Sequence, residues 1–175
     1  MERVFTARKI VISGVLAAIA ILLSLTPLGY VPVPTAAGHA TTMHIPAIIG
    51  GIMEGWVVGS IIGTIFGLTS FFLATIPMFK DPLVAILPRI FIGITAALCY
   101  GGLKRLNEHI ALIVAATVGT LTNTVLVLTM ATARGYMAPA VSVGIGITHG
   151  IPEIIVAAII TVAVVTAWRS VEAGR

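Results

Sequence analysis

Charged residues are scarce in this sequence. Only 9% of its 175 residues are Asp, Glu, Lys or Arg, whereas 58% are hydrophobic. Soluble domains carry about 25% charged residues, because a chain that folds in water must cover its surface with polar groups. A water-soluble domain of this size would have nowhere to place so much apolar surface. The composition therefore predicts an integral membrane protein.

Cysteine and the common catalytic motifs are also lacking. The single cysteine, Cys99, excludes an internal disulfide and a metal site built from several cysteines. The patterns GxxxxGK[ST], HExxH, CxxC and GxSxG do not occur, so no motif cradles a phosphate or pairs a nucleophile with a base. The histidine spacing matches no common metal site. We predict no enzymatic activity, no cofactor, no bound metal and no nucleic-acid partner.

Long apolar runs fill most of the chain and predict its fold. A helix that spans a bilayer needs about 20 mostly apolar residues. The runs are Ile10 to Pro27, Met43 to Ile76, Pro82 to Leu103, Ile110 to Ala133 and Ala138 to Trp168. The second run, Met43 to Ile76, is long enough for two short spans, which would divide at Glu54-Gly55. We therefore predict an all-α fold, a single-domain integral membrane bundle of six transmembrane helices over residues 1–175.

The Lys and Arg residues outside these runs predict the orientation, since cytoplasmic loops carry an excess of both. With six spans the two termini share a side, and that side holds seven of these residues against two on the other. The seven are Arg3, Arg8, Lys9, Lys104, Arg105, Arg169 and Arg175, and the two are Lys80 and Arg134. Both termini are predicted to be cytoplasmic, with loop 28–42 on the outer face of the cell membrane.

Polar side chains within membrane spans are costly and mark candidate functional sites. The substrate-binding candidates are Tyr30 in the outer loop and His44, Arg89, Asn123, His149 and Glu153 in the spans. Arg89 can snorkel outward, pair with Glu153 or hold an anionic ligand with its planar fork. Asn123 either joins two helices or contacts a ligand. His149 and Glu153 lie one turn apart and flank Pro152, so they form a structural pair or line a site in a broken helix.

The first run carries a face of small side chains. Ser13, Ala17, Ala20 and Ser24 recur at helical spacing, and small residues let helices approach closely in lipid. The face is either internal packing of the bundle or a docking surface for a partner membrane subunit. We adopt the docking surface as the prediction.

The order of motifs resembles the S components of energy-coupling-factor (ECF) transporters. The resemblance lies in HIPAIIGGIMEGWVVGSIIGTIFGLTSF, DPLVAILPRIFIGI, GTLTNTVLVL and THGIPEIIVAAII, and it covers nearly the whole chain. The chain looks most like the group that includes pantothenate-specific proteins. Members of the family usually carry an alanine-rich AxxxA-type motif on the first helix. The corresponding stretch here is SGVLAAIA, with Ser13 where an alanine could stand.

This resemblance implies a six-helix subunit that binds one water-soluble vitamin near its outer face, under the loop between the first two helices. It also implies a membrane-embedded T component and two cytoplasmic ATPases as partners, and inward delivery of the ligand. Several vitamins would be served by the same residues. The rival hypotheses are a helical membrane scaffold without a small-molecule ligand and an ion-coupled carrier that uses Glu153 and Arg89. The small size and the lack of an inverted repeat disfavour the carrier.

Overall fold

A computed structural model describes residues 6–33 and 39–174 and is mainly helical. Its helices are α1 (Ala7–Leu25), α2 (Ile45–Glu54), α3 (Trp56–Phe72), α4 (Pro82–Ala85), α5 (Leu87–Leu103), α6 (Glu108–Ala133) and α7 (Pro139–Ala173). Short 3-10 helices at Pro27–Gly29 and Pro77–Lys80 lie in the connections after α1 and α3. The predicted all-α class is correct apart from one small hairpin, in which β1 (Tyr30–Pro32) pairs antiparallel with β2 (His39–Thr41).

The lengths of the helices bear on the predicted number of membrane spans. Among the described residues, three segments are long and apolar enough to cross a membrane: Pro82–Leu103, Glu108–Ala133 and Pro139–Ala173. Helices α1, α2 and α3 are apolar but shorter. Helix α2 has 10 residues and is about 15 Å long, half of the roughly 30 Å hydrocarbon core. The structure thus has six principal helices, and three of them meet the length of a full span.

Local sequence explains where several helices begin and end. The side chain of Thr6 caps α1 by accepting from the amide of Lys9, 3.3 Å away, and Asn107 caps α6 in the same way. The predicted break at Glu54-Gly55 is confirmed, because α2 ends at Glu54 and Gly55 has a φ of 95°. That left-handed conformation is readily available only to glycine.

Two proline positions differ from the prediction. The run from Pro82 to Leu103 was expected to be one helix, but it divides at Ile86 into α4 and α5. Pro88 has no N–H to donate to the carbonyl of Val84, so the helical ladder is interrupted there. Conversely, α7 continues through Pro152 as one helix, so the alternative of a broken helix at that residue is not observed. One missing hydrogen bond is tolerated in a long apolar helix whose φ suits proline.

Glycines bring the backbones of α3 and α5 into direct contact. A methyl group added at Gly93 would lie 2.3 Å from the Cα of Gly59, and one added at Gly63 would lie 2.1 Å from the carbonyl oxygen of Arg89. No side chain fits between the helices at these points. The contact therefore fixes the position of Arg89 along α5 relative to α3.

Helix α2 lies at the centre of the bundle. Every residue of α2 from Ile45 to Ile52 is buried, and its side chains meet a core that includes Ile62, Ile92 and Leu112. The longer helices around α2 expose apolar side chains outward, for example Leu98 on α5 and Ile159 on α7. An apolar exterior around an apolar core is the arrangement that a bilayer requires.

Candidate ligand-binding cavity

A cavity of about 290 Å³ opens at the end of the bundle that carries the hairpin. The C-terminal ends of α1 and α3, the N-terminal end of α5, the segment just before α2, and the facing parts of α6 and α7 contribute to its wall. Five of the six predicted substrate-binding residues line it, namely Tyr30, Arg89, Asn123, His149 and Glu153. The structure thus brings together residues that are up to 123 positions apart in the sequence. Part of the predicted covering loop, residues 34–38, lies outside the described residues.

Arg89 is held in the cavity wall by the break between α4 and α5. Its Nη1 donates to the carbonyl of Val84, the oxygen left without a backbone donor by Pro88. The guanidinium carbon lies 5.5 Å from the ring centroid of Phe66 and 5.0 Å from that of Phe79, within the range of favourable cation–π contact. These contacts fix the plane of the guanidinium group.

The surroundings of Arg89 decide between its predicted roles. The residue is only 4% exposed, so it does not snorkel to the interface. No described carboxylate lies within ion-pair distance of it, so the predicted alternative of a pair with Glu153 is wrong. Its Nε is buried without a hydrogen-bond partner. A buried cation with an unused donor has the chemistry required to bind an anion.

Glu153, on α7, is directed toward the hairpin. Its Oε1 accepts from the main-chain N–H of Thr41 at 3.1 Å and also from the hydroxyl of Thr41. Its Oε2 lies 3.4 Å from the hydroxyl of Thr124 on α6. A buried carboxylate without a cation needs such donors to offset its loss of hydration. The carboxylate is therefore engaged by the protein itself.

Asn123 and His44 occupy different levels of the bundle. Asn123 lines the cavity, and its Oδ1 is buried without a partner. His44, the sixth predicted substrate-binding residue, is fully buried and does not line the cavity. Its ring points from the start of α2 into the interior, where Nε2 lies 3.0 Å from the hydroxyl of Thr120 on α6. The structure therefore places His44 in the interior, apart from the other five predicted residues.

Tyr30 and His149 are the more accessible members of the set. Tyr30 lies on β1 opposite Thr41, and its ring meets His39 edge to face at 6.4 Å. The Nδ1 of His149 lies 3.2 Å from the hydroxyl of Thr148. Both residues leave part of their surface free toward the cavity or its mouth.

Comparison with known proteins places this architecture in a family. Residues 8–165 match the family model described as the ECF transporter, substrate-specific component. The chain belongs to this family. This chain is also 33% identical to the "Pantothenic acid transporter PanT" of Lactococcus lactis subsp. cremoris (strain MG1363), in an alignment that covers 73% of the chain and 76% of the relative. The resemblance inferred from the sequence motifs is confirmed.

Family membership settles the general role of this S component. It is the substrate-specificity subunit of an ECF transporter and a multi-pass protein of the cell membrane. The family consists of transport subunits and is not a catalytic family. A scaffold without a ligand no longer fits the family to which the chain belongs.

The predicted docking face on α1 needs correction. Ala17 is 9% exposed and Ala20 is fully buried, both within the chain itself. Ser24 lines the cavity, and the hydroxyls of Ser13 and Ser24 bond to carbonyls of α1, at Lys9 and Ala20. The small side chains let α1 pack against its own bundle, so Ala17 and Ala20 are not available to a partner subunit in this structure. For Ala17 and Ala20 the alternative of internal packing is the one observed, and docking of a partner on the remainder of α1 stays a prediction.

Two features of this S component were not predicted from its sequence. The first is the aromatic wall formed by Phe66 and Phe79, which was missed because an aromatic residue in an apolar run resembles any other core residue.

The second unpredicted feature is a polar cluster where α4 begins. Asp81 accepts from the Nε of Arg134 at 2.7 Å and lies 3.4 Å from the hydroxyl of Tyr136. The hydrogen bond from Arg134 holds the pKa of the Asp81 carboxyl below its usual value. The cluster joins the α4 region to the connection between α6 and α7.

Proposed function

We propose that this S component binds pantothenate in the cavity beneath the hairpin and delivers it to the cytoplasm with a T component and two ATPases. The observation that carries the proposal is Arg89, a buried cation that lines the cavity and whose Nε has no hydrogen-bond partner. The name of the Lactococcus relative, a pantothenic acid transporter, supports the choice of vitamin. The family supports the partner set.

The cavity requires two kinds of group from a ligand. Arg89 offers a charged donor to an acceptor, and the Oδ1 of Asn123 requires a donor. Pantothenate carries a carboxylate at one end and an amide N–H and two hydroxyls along the rest of the molecule. We assign the carboxylate to Arg89 and an N–H or O–H to Asn123. A cationic vitamin would place its charge against Arg89 and is disfavoured by Coulomb repulsion.

The size and lining of the cavity support a small, partly apolar ligand. Sites for drug-sized molecules measure about 300–1,000 Å³, and this cavity, at about 290 Å³, lies at the lower limit. Its wall includes the rings of Phe66 and Phe79 and the side chains of Met43 and Leu128. Such a wall suits the dimethyl-substituted carbon of pantothenate, since burial of apolar surface is favourable.

The proposal includes an orientation. We place the hairpin and the cavity at the outer face and both termini in the cytoplasm, with six crossings of the membrane that include the short α2. The distribution of Lys and Arg supports this assignment, since Lys104, Arg105 and Arg169 gather at the end opposite the cavity.

Equilibrium binding to the purified S component against a panel of B vitamins tests the proposal. Pantothenate should bind at least one hundredfold more tightly than riboflavin, thiamine or biotin. Protein expressed in vitamin-containing medium should also release pantothenate on denaturation. Release of a different vitamin would redirect the proposal to that ligand. Absence of any released or bound vitamin would refute the binding of pantothenate in this cavity.

A further inference from the structure

We infer that Glu153 is a latch that holds the β1–β2 hairpin on α7 and so controls access to the cavity, rather than a group that binds the ligand. The juxtaposition that carries the inference is the carboxylate of Glu153 against Thr41 at the end of β2. Control of ligand access rests on the proposed function. The attachment of the hairpin does not, since it occurs without a ligand.

Few other contacts hold the hairpin on the bundle. Each strand has three residues, and an isolated two-stranded hairpin is marginal in water. Tyr30 and Pro32 on β1 are exposed, and Ala40 is the buried residue of β2. Outside the turn that follows α1, the hairpin meets the bundle mainly where β2 packs against α7. Glu153 lies at that contact and supplies its charged acceptor.

The carboxylate is already engaged before a ligand arrives. Oε1 accepts two hydrogen bonds from Thr41, and Oε2 faces the hydroxyl of Thr124. Binding a ligand hydroxyl through Oε1 would require exchange of a Thr41 donor, which would loosen the hairpin. Arg89 and Asn123, by contrast, each present a buried atom without a partner. Of these three residues of the cavity lining, Arg89 and Asn123 are therefore available to a ligand, whereas the carboxylate of Glu153 is satisfied and holds the hairpin on α7.

Hydrogen exchange of the ligand-free protein tests the latch directly. The amide of Thr42 is the key probe, because it bonds to the carbonyl of Gly29 at 2.9 Å, within the base of the hairpin and not to Glu153. Hydrogen bonds to a charged group correspond to roughly tenfold to one hundredfold in an equilibrium constant. In Glu153→Ala we expect exchange at Thr42 and across the hairpin to accelerate by about tenfold or more.

Three further variants sharpen the measurement. Glu153→Gln keeps an acceptor but loses the charge, so it should accelerate exchange by less than Glu153→Ala. Thr124→Val removes the donor that faces Oε2 without touching the hairpin, and exchange at Thr42 should stay at the wild-type rate. Thr41→Val replaces Glu153→Ala if the latter does not fold; it removes the hydroxyl and should change exchange in the same direction. Wild-type exchange at Thr42 in folded Glu153→Ala or Thr41→Val would overturn the latch.

Binding kinetics separate a latch from a ligand contact. A latch variant should raise both the association and the dissociation rate of pantothenate, by about tenfold each, with a smaller change in Kd. A lost ligand contact would raise dissociation alone, and that result would overturn the inference. If the wild-type protein binds no pantothenate, the proposed function fails, while the exchange experiment still decides whether Glu153 holds the hairpin.

Discussion

Substitution of Arg89 gives the sharpest test of how the cavity selects its ligand. The side chain is 4% exposed, its Nη1 is committed to the carbonyl of Val84, and its Nε is free. Truncating one member of a buried, hydrogen-bonded charge pair costs about 2–5 kcal/mol. Arg89→Ala should therefore weaken pantothenate binding by roughly thirtyfold to several thousandfold. Arg89→Lys should also weaken it, because an ammonium group cannot bond both to Val84 and to a carboxylate in the same planar arrangement.

Calorimetric titration of the purified variants measures these effects, and two controls assign them. Lys80→Ala removes an exposed cation at the same end of the bundle and should leave affinity within about twofold, since exposed charges contribute little. The alcohol analogue of pantothenate lacks the carboxylate and should bind weakly to the wild type and to Arg89→Ala alike. Near wild-type affinity for pantothenate in a folded Arg89→Ala protein would refute the assignment of Arg89 to the carboxylate.

The remaining predictions concern packing, pH and orientation. Gly63→Ala should lower Tm and weaken binding, because its methyl would lie 2.1 Å from a backbone oxygen of α5. The control is Gly14→Ala, whose methyl would meet no atom within 4 Å and should change neither property. Equal Tm values for the two variants would contradict the packing model. Because the pKa of Asp81 is lowered in the folded state, its contribution to stability is complete at neutral pH and is lost below about pH 4 as the carboxyl is protonated. Asp81→Asn should thus flatten the acid limb of Tm against pH, and an unchanged limb would remove this cluster from the stability argument. With the native cysteine removed, a cysteine at Leu28 should react with impermeant reagents from outside the cell and one at Leu106 only from inside, and labelling of both from one side would exclude the proposed orientation.

The location of the cavity was the most predictable part of the molecule. A polar side chain is costly within lipid, so each such residue in an apolar run is either paired with the protein or used for binding. This reasoning selected Arg89, Asn123, His149 and Glu153, which all line one cavity.

The direction of side chains was less predictable. His44 lies immediately before α2 and Arg89 lies in the first turn of α5. The side chain of His44 nevertheless points into the bundle, whereas that of Arg89 lines the cavity. The rotation of each helix about its axis decides between these outcomes, and it depends on packing across the whole bundle. The same limit applies to Ala17 and Ala20, because small residues suit internal packing and partner docking equally.

The hairpin and the division between α4 and α5 were missed for a different reason. Strands of three residues such as β1 and β2 leave too short a pattern for periodicity to detect. The division depends on Pro88, which lies within an otherwise continuous apolar run. A proline at the second position of a helix looks the same in sequence as one that kinks a longer helix.

Pro88 also determines how an arginine in this position should be interpreted in related sequences. A residue with an N–H at position 88 could donate to the carbonyl of Val84 and so compete with the guanidinium for it. Proline cannot, so that acceptor is reserved for Arg89. The dipeptide Pro88-Arg89 is therefore the informative sequence signature. A homologue that kept the arginine without the proline would retain the charge but lose the contact that orients the guanidinium group. An anionic substrate should therefore not be inferred from the arginine alone.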